Sequence, residues 1–215
     1  KYRETVLFFP SQGQTCHAYC SFCFRWPQFV GMDEWKFAMK ETELLVKYLQ
    51  KHTEVTDLLF TGGDPMIMKN KIFATYIDAL IEADIPNLQT IRIGTKALGY
   101  WPYKFLTEDD AEDTLRTFEK IVKSGKNLAI MAHFNHPAEL STDAVKQAIA
   151  KVRATGAQIR TQSPLMKNIN ADADIWATMW RQQVNLNCIP YYMFVARDTG
   201  AQHYFKVPLV EAWTI

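Results

Sequence analysis

The sequence is short of one-sided charge: 24 Lys and Arg stand against 23 Asp and Glu in 215 residues, a formal charge of +1. That balance excludes a general electrostatic nucleic-acid binder and a polybasic membrane surface. Long hydrophobic runs are missing as well. No stretch approaches the roughly 18 apolar residues of a membrane span, and no signal peptide is visible. Cysteine is scarce, and its four residues are too unevenly placed for the disulfide framework of a small secreted domain. Apolar side chains, by contrast, make up 48% of the chain, enough for a sizeable core. Residue 1 is Lys, strand-like Val6-Leu7-Phe8-Phe9 follows almost at once, and Glu211 to Ile215 carry no stop signal. The expectation is one core domain, residues 1–215, lacking N- and C-terminal flanking segments of a longer protein.

Three of the cysteines, Cys16, Cys20 and Cys23, fall in a C-x3-C-x2-C spacing, and Cys188 lies far along the chain. Three clustered thiols can converge on one soft metal centre. A [4Fe-4S] cluster is the leading reading; a Cys3His zinc site with His17 or a distant His, or unpaired thiols, stay open beside it. The triplet follows a strand directly, in a loop holding Gly13, and aromatic residues crowd it: Tyr19, Phe22, Phe24 and Trp26. Apolar cover of this kind limits solvent access to a cluster and tunes its potential. Three thiolates on a four-iron cube leave one iron without a protein ligand, a place for chemistry. Cys188 precedes a strand where the triplet follows one. In a parallel sheet those are opposite edges, about 15–20 Å apart for five or six residues, so Cys188 is expected to be an inert buried thiol.

Strand candidates are Thr5–Phe9, Asp57–Phe60, Thr90–Gly94, Leu128–Ala132, Ala157–Thr161 and Tyr191–Val195. Helical patterns lie between them at 37–52, 70–83, 107–124, 141–155 and 172–185. Thr107 and Ser141, each with acids following, read as helix starts, and Gly125 and Gly156 as stops. Short apolar strands separated by helices imply a parallel sheet covered on both faces. The fold class is α/β: a partial (β/α)6 TIM-like barrel first, an open doubly wound sheet second. Either places ligands at the C-terminal ends of the strands. Polar and glycine-rich motifs do follow them: Thr61-Gly62-Gly63-Asp64-Pro65, Arg92-Ile93-Gly94-Thr95-Lys96, His133-Phe134-Asn135-His136-Pro137-Ala138-Glu139, Arg160-Thr161-Gln162-Ser163-Pro164 and Arg197-Asp198. Any one could be a plain turn. Five on the edge that also carries the cysteines make one shared site the economical reading.

Taken together, Cys16-x3-Cys20-x2-Cys23-Phe24-Arg25, the Gly-Gly-Asp-Pro and Arg-Ile-Gly-Thr segments, His133-Phe134-Asn135-His136-Pro137, Gln162-Ser163 and Pro190-Tyr191-Tyr192 resemble the radical SAM superfamily. The His-Phe-Asn-His-Pro and Gln-Ser segments point to its lysine 2,3-aminomutase-like branch, and the resemblance covers nearly the whole chain in order. It implies that S-adenosylmethionine chelates the open iron, that one electron from the cluster cleaves it to a 5′-deoxyadenosyl radical, and that the radical takes a hydrogen from the substrate. It also implies that Arg25 pairs with the methionine carboxylate, Asp64 receives the ammonium, and Gly62 and Gly63 let backbone approach the ligand. Phe22 would contact adenine, His133 and Gln162 the ribose, and Thr95 would complete the binding set. The family's radical SAM core implies a partial barrel of the radical SAM type, with metal ligands Cys16, Cys20 and Cys23.

The branch pairs S-adenosylmethionine with pyridoxal phosphate, held by a lysine in sequence C-terminal to this core. Lys96 and Lys167 are the loop lysines near the edge, and neither is identified as that lysine, so pyridoxal phosphate is left open. After the Pro-Tyr-Tyr strand the register reads Ala196-Arg197-Asp198, where the family places an acid directly. Arg197 and Asp198 are the candidate substrate residues, and Arg197 suits an acidic group, or another amino acid, better than lysine. The function implied is a 1,2-amino shift on an amino acid. The alternatives are a divergent radical SAM enzyme without pyridoxal phosphate, a non-catalytic iron-sulfur electron-transfer protein, and a structural zinc protein. The expected partners are an amino-acid-like small molecule and an external one-electron donor, with no nucleic acid and no membrane; a homo-oligomer is left open. An oxygen-sensitive cluster and the lack of export signals make the cytoplasm the expected location.

Overall fold

The computed structural model describes residues 2–26, 42–195 and 201–215. The candidate substrate residues Arg197 and Asp198, and the first residues of the helix expected over 37–52, lie outside the described residues. Six strands, β1 (Thr5–Phe8), β2 (Asp57–Phe60), β3 (Thr90–Thr95), β4 (Asn127–His133), β5 (Gln158–Leu165) and β6 (Ile189–Val195), form one parallel sheet in chain order. The helices that separate or follow them are α1 (Thr42–Lys51), α2 (Asn70–Glu82), α3 (Ala97–Tyr100), α4 (Ala111–Lys123), α5 (Asp143–Ala154), α6 (Ala173–Asn185), α7 (Gln202–Phe205) and α8 (Leu209–Thr214).

Strand order without reversal decides between the two expected architectures. A right-handed crossover that always steps to the next strand in the same direction puts every helix on the same face, whereas a doubly wound sheet reverses and covers both. The sheet is therefore an open, partial barrel. The expectation of helical cover on both faces fails for the same reason. On the helix side, Phe8, Phe60, Ile93, Ile130 and Ile159 stand in register across five strands, all buried. On the other side the row Leu7, Leu59 and Arg92 is more open, and Leu7 is half-exposed, while Ala129 at its end is buried.

Aromatic rings weld the helix side. Phe60 lies edge-on to Phe8 at 5.0 Å and to Phe73 of α2 at 5.6 Å, and Phe73 reaches Phe118 of α4 at 6.2 Å. Geometry of this kind adds to area burial.

The element boundaries correct the expected ones in places. β5 runs on through Leu165, so Arg160 to Pro164 belong to a strand, not a loop. Pro164 reads as a strand breaker, but β4 stops at the pair His133–Gln162, and beyond it β5 has only β6 as neighbour. A missing N–H on the uncovered side costs no ladder bond there. α4 begins at Ala111 and not at Thr107: Thr107 and Glu108 bond back to Tyr103 O in the turn that follows the 3-10 segment Pro102–Phe105, and the Asp110 carboxylate takes Lys104 Nζ and Asn70 N–H in place of a cap bond. Thr142, not Ser141, caps α5 by accepting Val145 N–H. Gly125 and Gly156 end α4 and α5 with φ of 83° and 90°, as the sequence implies.

Because Phe60 is fully buried between three other rings, Phe60→Ala leaves a cavity the helices cannot close. Its expected cost is about 3–5 kcal/mol, read as a lower urea midpoint at unchanged m.

Candidate active site

With all six strands parallel, the motifs after them meet at one edge. The turn after β2 grips the cysteine loop by backbone alone: Gly63 N–H donates to Gly13 O at 3.1 Å and Asp64 N–H to Thr15 O at 3.0 Å. A Cβ on Gly63 would lie 2.1 Å from Thr15 O, and one on Gly62, whose φ is 149°, 2.8 Å from Gly13 O. The glycines thus admit the chain's own cysteine loop, where the sequence reading had them admitting a ligand.

Cys16, Cys20 and Cys23 are all partly buried and close enough to repel one another as thiolates. Burial raises the Cys20 thiol to about 11, with the Lys96 ammonium opposing; burial also raises Cys23. Backbone amides aim at the sulfurs: Ala18 N–H lies 3.4 Å from Cys16 Sγ, and the N–H groups of Arg25 and Trp26 favour the Cys23 thiolate. Amides directed at sulfur tune iron-sulfur sites. Among the described residues no three His, Cys, Asp or Glu side chains converge as a single ion needs. A four-iron cube takes each thiolate on a different iron and does not require that convergence. The donor set therefore fits a cube better than one zinc ion, and His17, one of the fourth ligands the zinc alternative could use, is committed elsewhere.

That commitment is to Asp64. The carboxylate is only 2% exposed and accepts Met66 N–H at 2.9 Å, Lys96 N–H at 2.8 Å, the Thr95 hydroxyl at 2.7 Å and His17 Nε2 at 2.9 Å. Its lone pairs are taken by the chain itself. The expected ammonium contact is not available to Asp64 in this arrangement, and Thr95, which also accepts Ala97 N–H at 2.9 Å, is likewise turned to the fold.

Arg25 lies over the Phe9 ring at 4.5 Å and donates to Gln14 Oε1 at 3.2 Å; burial pulls its pKa down, with Cys23 opposing. Phe22 reaches across the sheet edge to His133 and to Phe205 of α7, both at 5.9 Å. His133 and Gln162 are register partners, so their side chains share the face away from the helices. Phe22, His133 and Gln162 thus stand together at the sheet edge, and Arg25 lies on the cysteine loop beside Cys23. Burial, then the Lys96 ammonium, lowers His133 from its ordinary 6.5 to about 3, so its imidazole is neutral.

Lys96 itself is buried and donates to Asn135 Oδ1 at 2.6 Å, Glu139 Oε2 at 3.1 Å and His133 O at 3.3 Å, above the Tyr100 ring at 4.2 Å. This does not suit a cofactor lysine. Lys167 is exposed beside a cavity of about 420 Å3 that His203, Lys206 and Glu211 also line. Cys188 is buried just before β6, its thiol pushed up to about 12 by burial. Sequence reasoning passed over Asn135 and Glu139, although both stand in the quoted motif after β4, and over Asn170, which has no local signal.

Two outcomes follow. Gly63→Ala is expected to displace the cysteine loop and abolish iron incorporation, while Gly94→Ala, whose Cβ would meet nothing nearer than 3.6 Å, keeps it; iron content after reconstitution checks both. For His133, the unfolded chain takes up a proton the folded one refuses between about 6.5 and 3. This group's stabilisation is full above pH 6.5 and is lost as pH falls through that window, so His133→Gln should flatten the acid limb of a denaturation-midpoint profile.

Comparisons with known proteins place this geometry. No family model matches the chain. It is 33% identical over 211 residues to the putative L-lysine 2,3-aminomutase of Aquifex aeolicus, covering 98% of this chain and 54% of that one. It is 29% identical to the L-lysine 2,3-aminomutase of Haemophilus influenzae (100% and 59% covered), and 26% identical to the glutamate 2,3-aminomutase of Clostridioides difficile (88% and 42%). The chain thus spans about half the length of the curated relatives it matches. Among solved structures, anSMEcpe with bound AdoMet and Cp18Cys peptide superposes with a TM-score of 0.65 at 12% identity, covering 96% of this chain and 56% of that one. Streptococcus suis SuiB bound to S-adenosylmethionine gives 0.63 at 14%, covering 95% and 43%. Among the described residues no helix is long and apolar enough to cross a membrane. By its motifs, its open six-stranded fold and these relatives, the chain is similar to the lysine 2,3-aminomutase-like branch of the radical SAM superfamily.

Proposed function

We propose that the protein starts radical chemistry on an amino acid and directs it to a 1,2-amino shift. The observation that carries this reading is the placing of the cysteine loop: clamped by the turn after β2, beside Arg25, with Phe22 laid against His133 at the edge where all six strands end. When bound, a reduced [4Fe-4S] cluster supplies the electron that splits S-adenosylmethionine to methionine and a 5′-deoxyadenosyl radical, which takes a substrate hydrogen. Cys16, Cys20 and Cys23 would hold the cluster. Arg25 would pair with the methionine carboxylate, the fork geometry its guanidinium favours. Phe22 would cover adenine, and His133 and Gln162 would bond the ribose. Gly62, Gly63, Asp64 and Thr95 serve by fixing the loop and the end of β3. Aromatic cover from Phe22 and Phe205 would keep water from the radical.

Arg197 and Asp198, directly after β6, would select the substrate, with an acidic amino acid suiting Arg197. The electron would come from an external donor. Lys96 does not suit pyridoxal phosphate, because its ammonium is held by Asn135, Glu139 and the His133 carbonyl. The second reading is a divergent relative that makes the same radical without pyridoxal phosphate.

Anaerobic reconstitution followed by reduction is the test. The reduced-cluster EPR signal should change on adding S-adenosylmethionine, and 5′-deoxyadenosine should form; Cys20→Ala should lose both. An unchanged spectrum with no 5′-deoxyadenosine would sink the reading and return the chain to passive electron transfer.

A further inference from the structure

β4 ends at His133, and the chain turns inward through Phe134 to Asn135, which is buried. Three contacts surround the Asn135 amide. Its Oδ1 accepts Lys96 Nζ at 2.6 Å; its Nδ2 lies 2.9 Å from Ser163 Oγ and 3.2 Å from His133 Nε2. An ammonium has hydrogens and no lone pair, so only the carbonyl end of the amide can face Lys96. The NH2 end must then face His133 and Ser163, with one hydrogen for each. A nitrogen that receives a hydrogen carries a lone pair. His133 Nε2 is therefore bare, and the ring's single proton sits on Nδ1. Among the described residues no protein group bonds Nδ1.

We propose that Lys96 and Asn135 form a relay that locks His133 in its Nδ1–H tautomer, presenting a dedicated donor to an oxygen acceptor of the bound nucleoside. The inference rests on the reading that His133 and Gln162 flank that nucleoside. Lys96 is the positioning residue: Glu139 and the His133 carbonyl hold its ammonium, and Tyr100 lies beneath it. Asn170 steadies the far side, donating to Asn135 O at 2.9 Å and lying 3.4 Å from Ser163 Oγ. A proton on Nε2 would confront both the Asn135 amide hydrogens and the nearby ammonium. The ring stays a neutral donor, fit for a hydroxyl or ether oxygen and unfit for a cationic group.

The test uses anaerobically reconstituted protein with 15N-labelled histidine, the His133 ring being assigned by its loss in His133→Gln. Long-range proton–nitrogen spectra should show the Nδ1–H pattern in the wild type. Asn135→Asp, nearly the same shape, replaces the NH2 by an acceptor and should move the proton to Nε2. Lys96→Met frees the amide to flip and should give mixed tautomers, and Lys96→Arg, again a donor without a lone pair, should restore one. Calorimetry with 5′-deoxyadenosine should show about a tenfold weakening in Asn135→Asp and His133→Gln, the size of one hydrogen bond. An Nε2–H pattern in the wild type overturns the relay, and that spectrum needs no variant to fold. The expected tautomer with undiminished nucleoside binding in His133→Gln leaves the relay standing and overturns the nucleoside reading of the site.

Discussion

Asp64 collects donors from three separate segments: His17 in the cysteine loop, Met66 in the turn after β2, and Thr95 with the backbone of Lys96 at the end of β3. A carboxylate taken this far from water is tolerable only when its oxygens are filled, and hydrogen bonds to a charge are roughly twice as strong as neutral ones. The cysteine loop, the Gly-Gly turn and the start of α3 are consequently fixed as one body. The same contact sets the direction of Lys96: with its N–H on Asp64, its side chain runs across the sheet edge to Asn135 and Glu139. Position passes from the thiol loop through Asp64 and Lys96 to His133 by polar contacts of ordinary length. Nothing in that path depends on a flexible surface side chain.

The second constraint is the one-way winding of the sheet. It sends alternate strand residues to different fates. Phe60, Ile93, Ile130 and Ile159 disappear under helices, while His133 and Gln162, displaced from that row, face the side without helices. A bulge in the β5–β6 pairing at Thr161–Gln162 brings Tyr192 opposite Gln162, so the site wall gains an aromatic side chain from the outer strand. The helix side makes the domain stable, and the open side is left to the ligand.

This division explains what could be read in advance. The helix-side residues announce themselves by hydrophobic pattern, which is why six strands and their intervening helices were legible, with the long-range choice between architectures resting on the number of βα units and on family resemblance. Ends were less legible. Pro164 is disfavoured inside a strand unless one neighbour has already stopped, and that depends on where β4 ends. Thr107 lies in a turn ahead of α4, whose N-cap position is Asp110, and Ser141 lost its capping role to Thr142. At the site, residue types were readable and partners were not. Asp64 invites a ligand ammonium on paper, because an acid in a glycine turn at a strand end carries no local sign of the three donors converging from elsewhere. Lys96 was weighed as a covalent lysine for the same reason: its charge is visible in sequence and its enclosure is not.

The enclosure of Lys96 also bears on why so polar a cluster persists in an otherwise apolar domain. Desolvating an ammonium and the Glu139 carboxylate costs about as much as their attraction returns, and well-packed apolar substitutes are often neutral or stabilising. Stability is therefore a weak reason for Lys96, Asn135 and Glu139 to be there. Orientation is a stronger one. An apolar side chain in place of Lys96 would fill the volume equally well, but it would leave the Asn135 amide free to turn over, and with it the lone pair of His133. What only a donor without a lone pair can supply at that point is a direction for every hydrogen bond that follows.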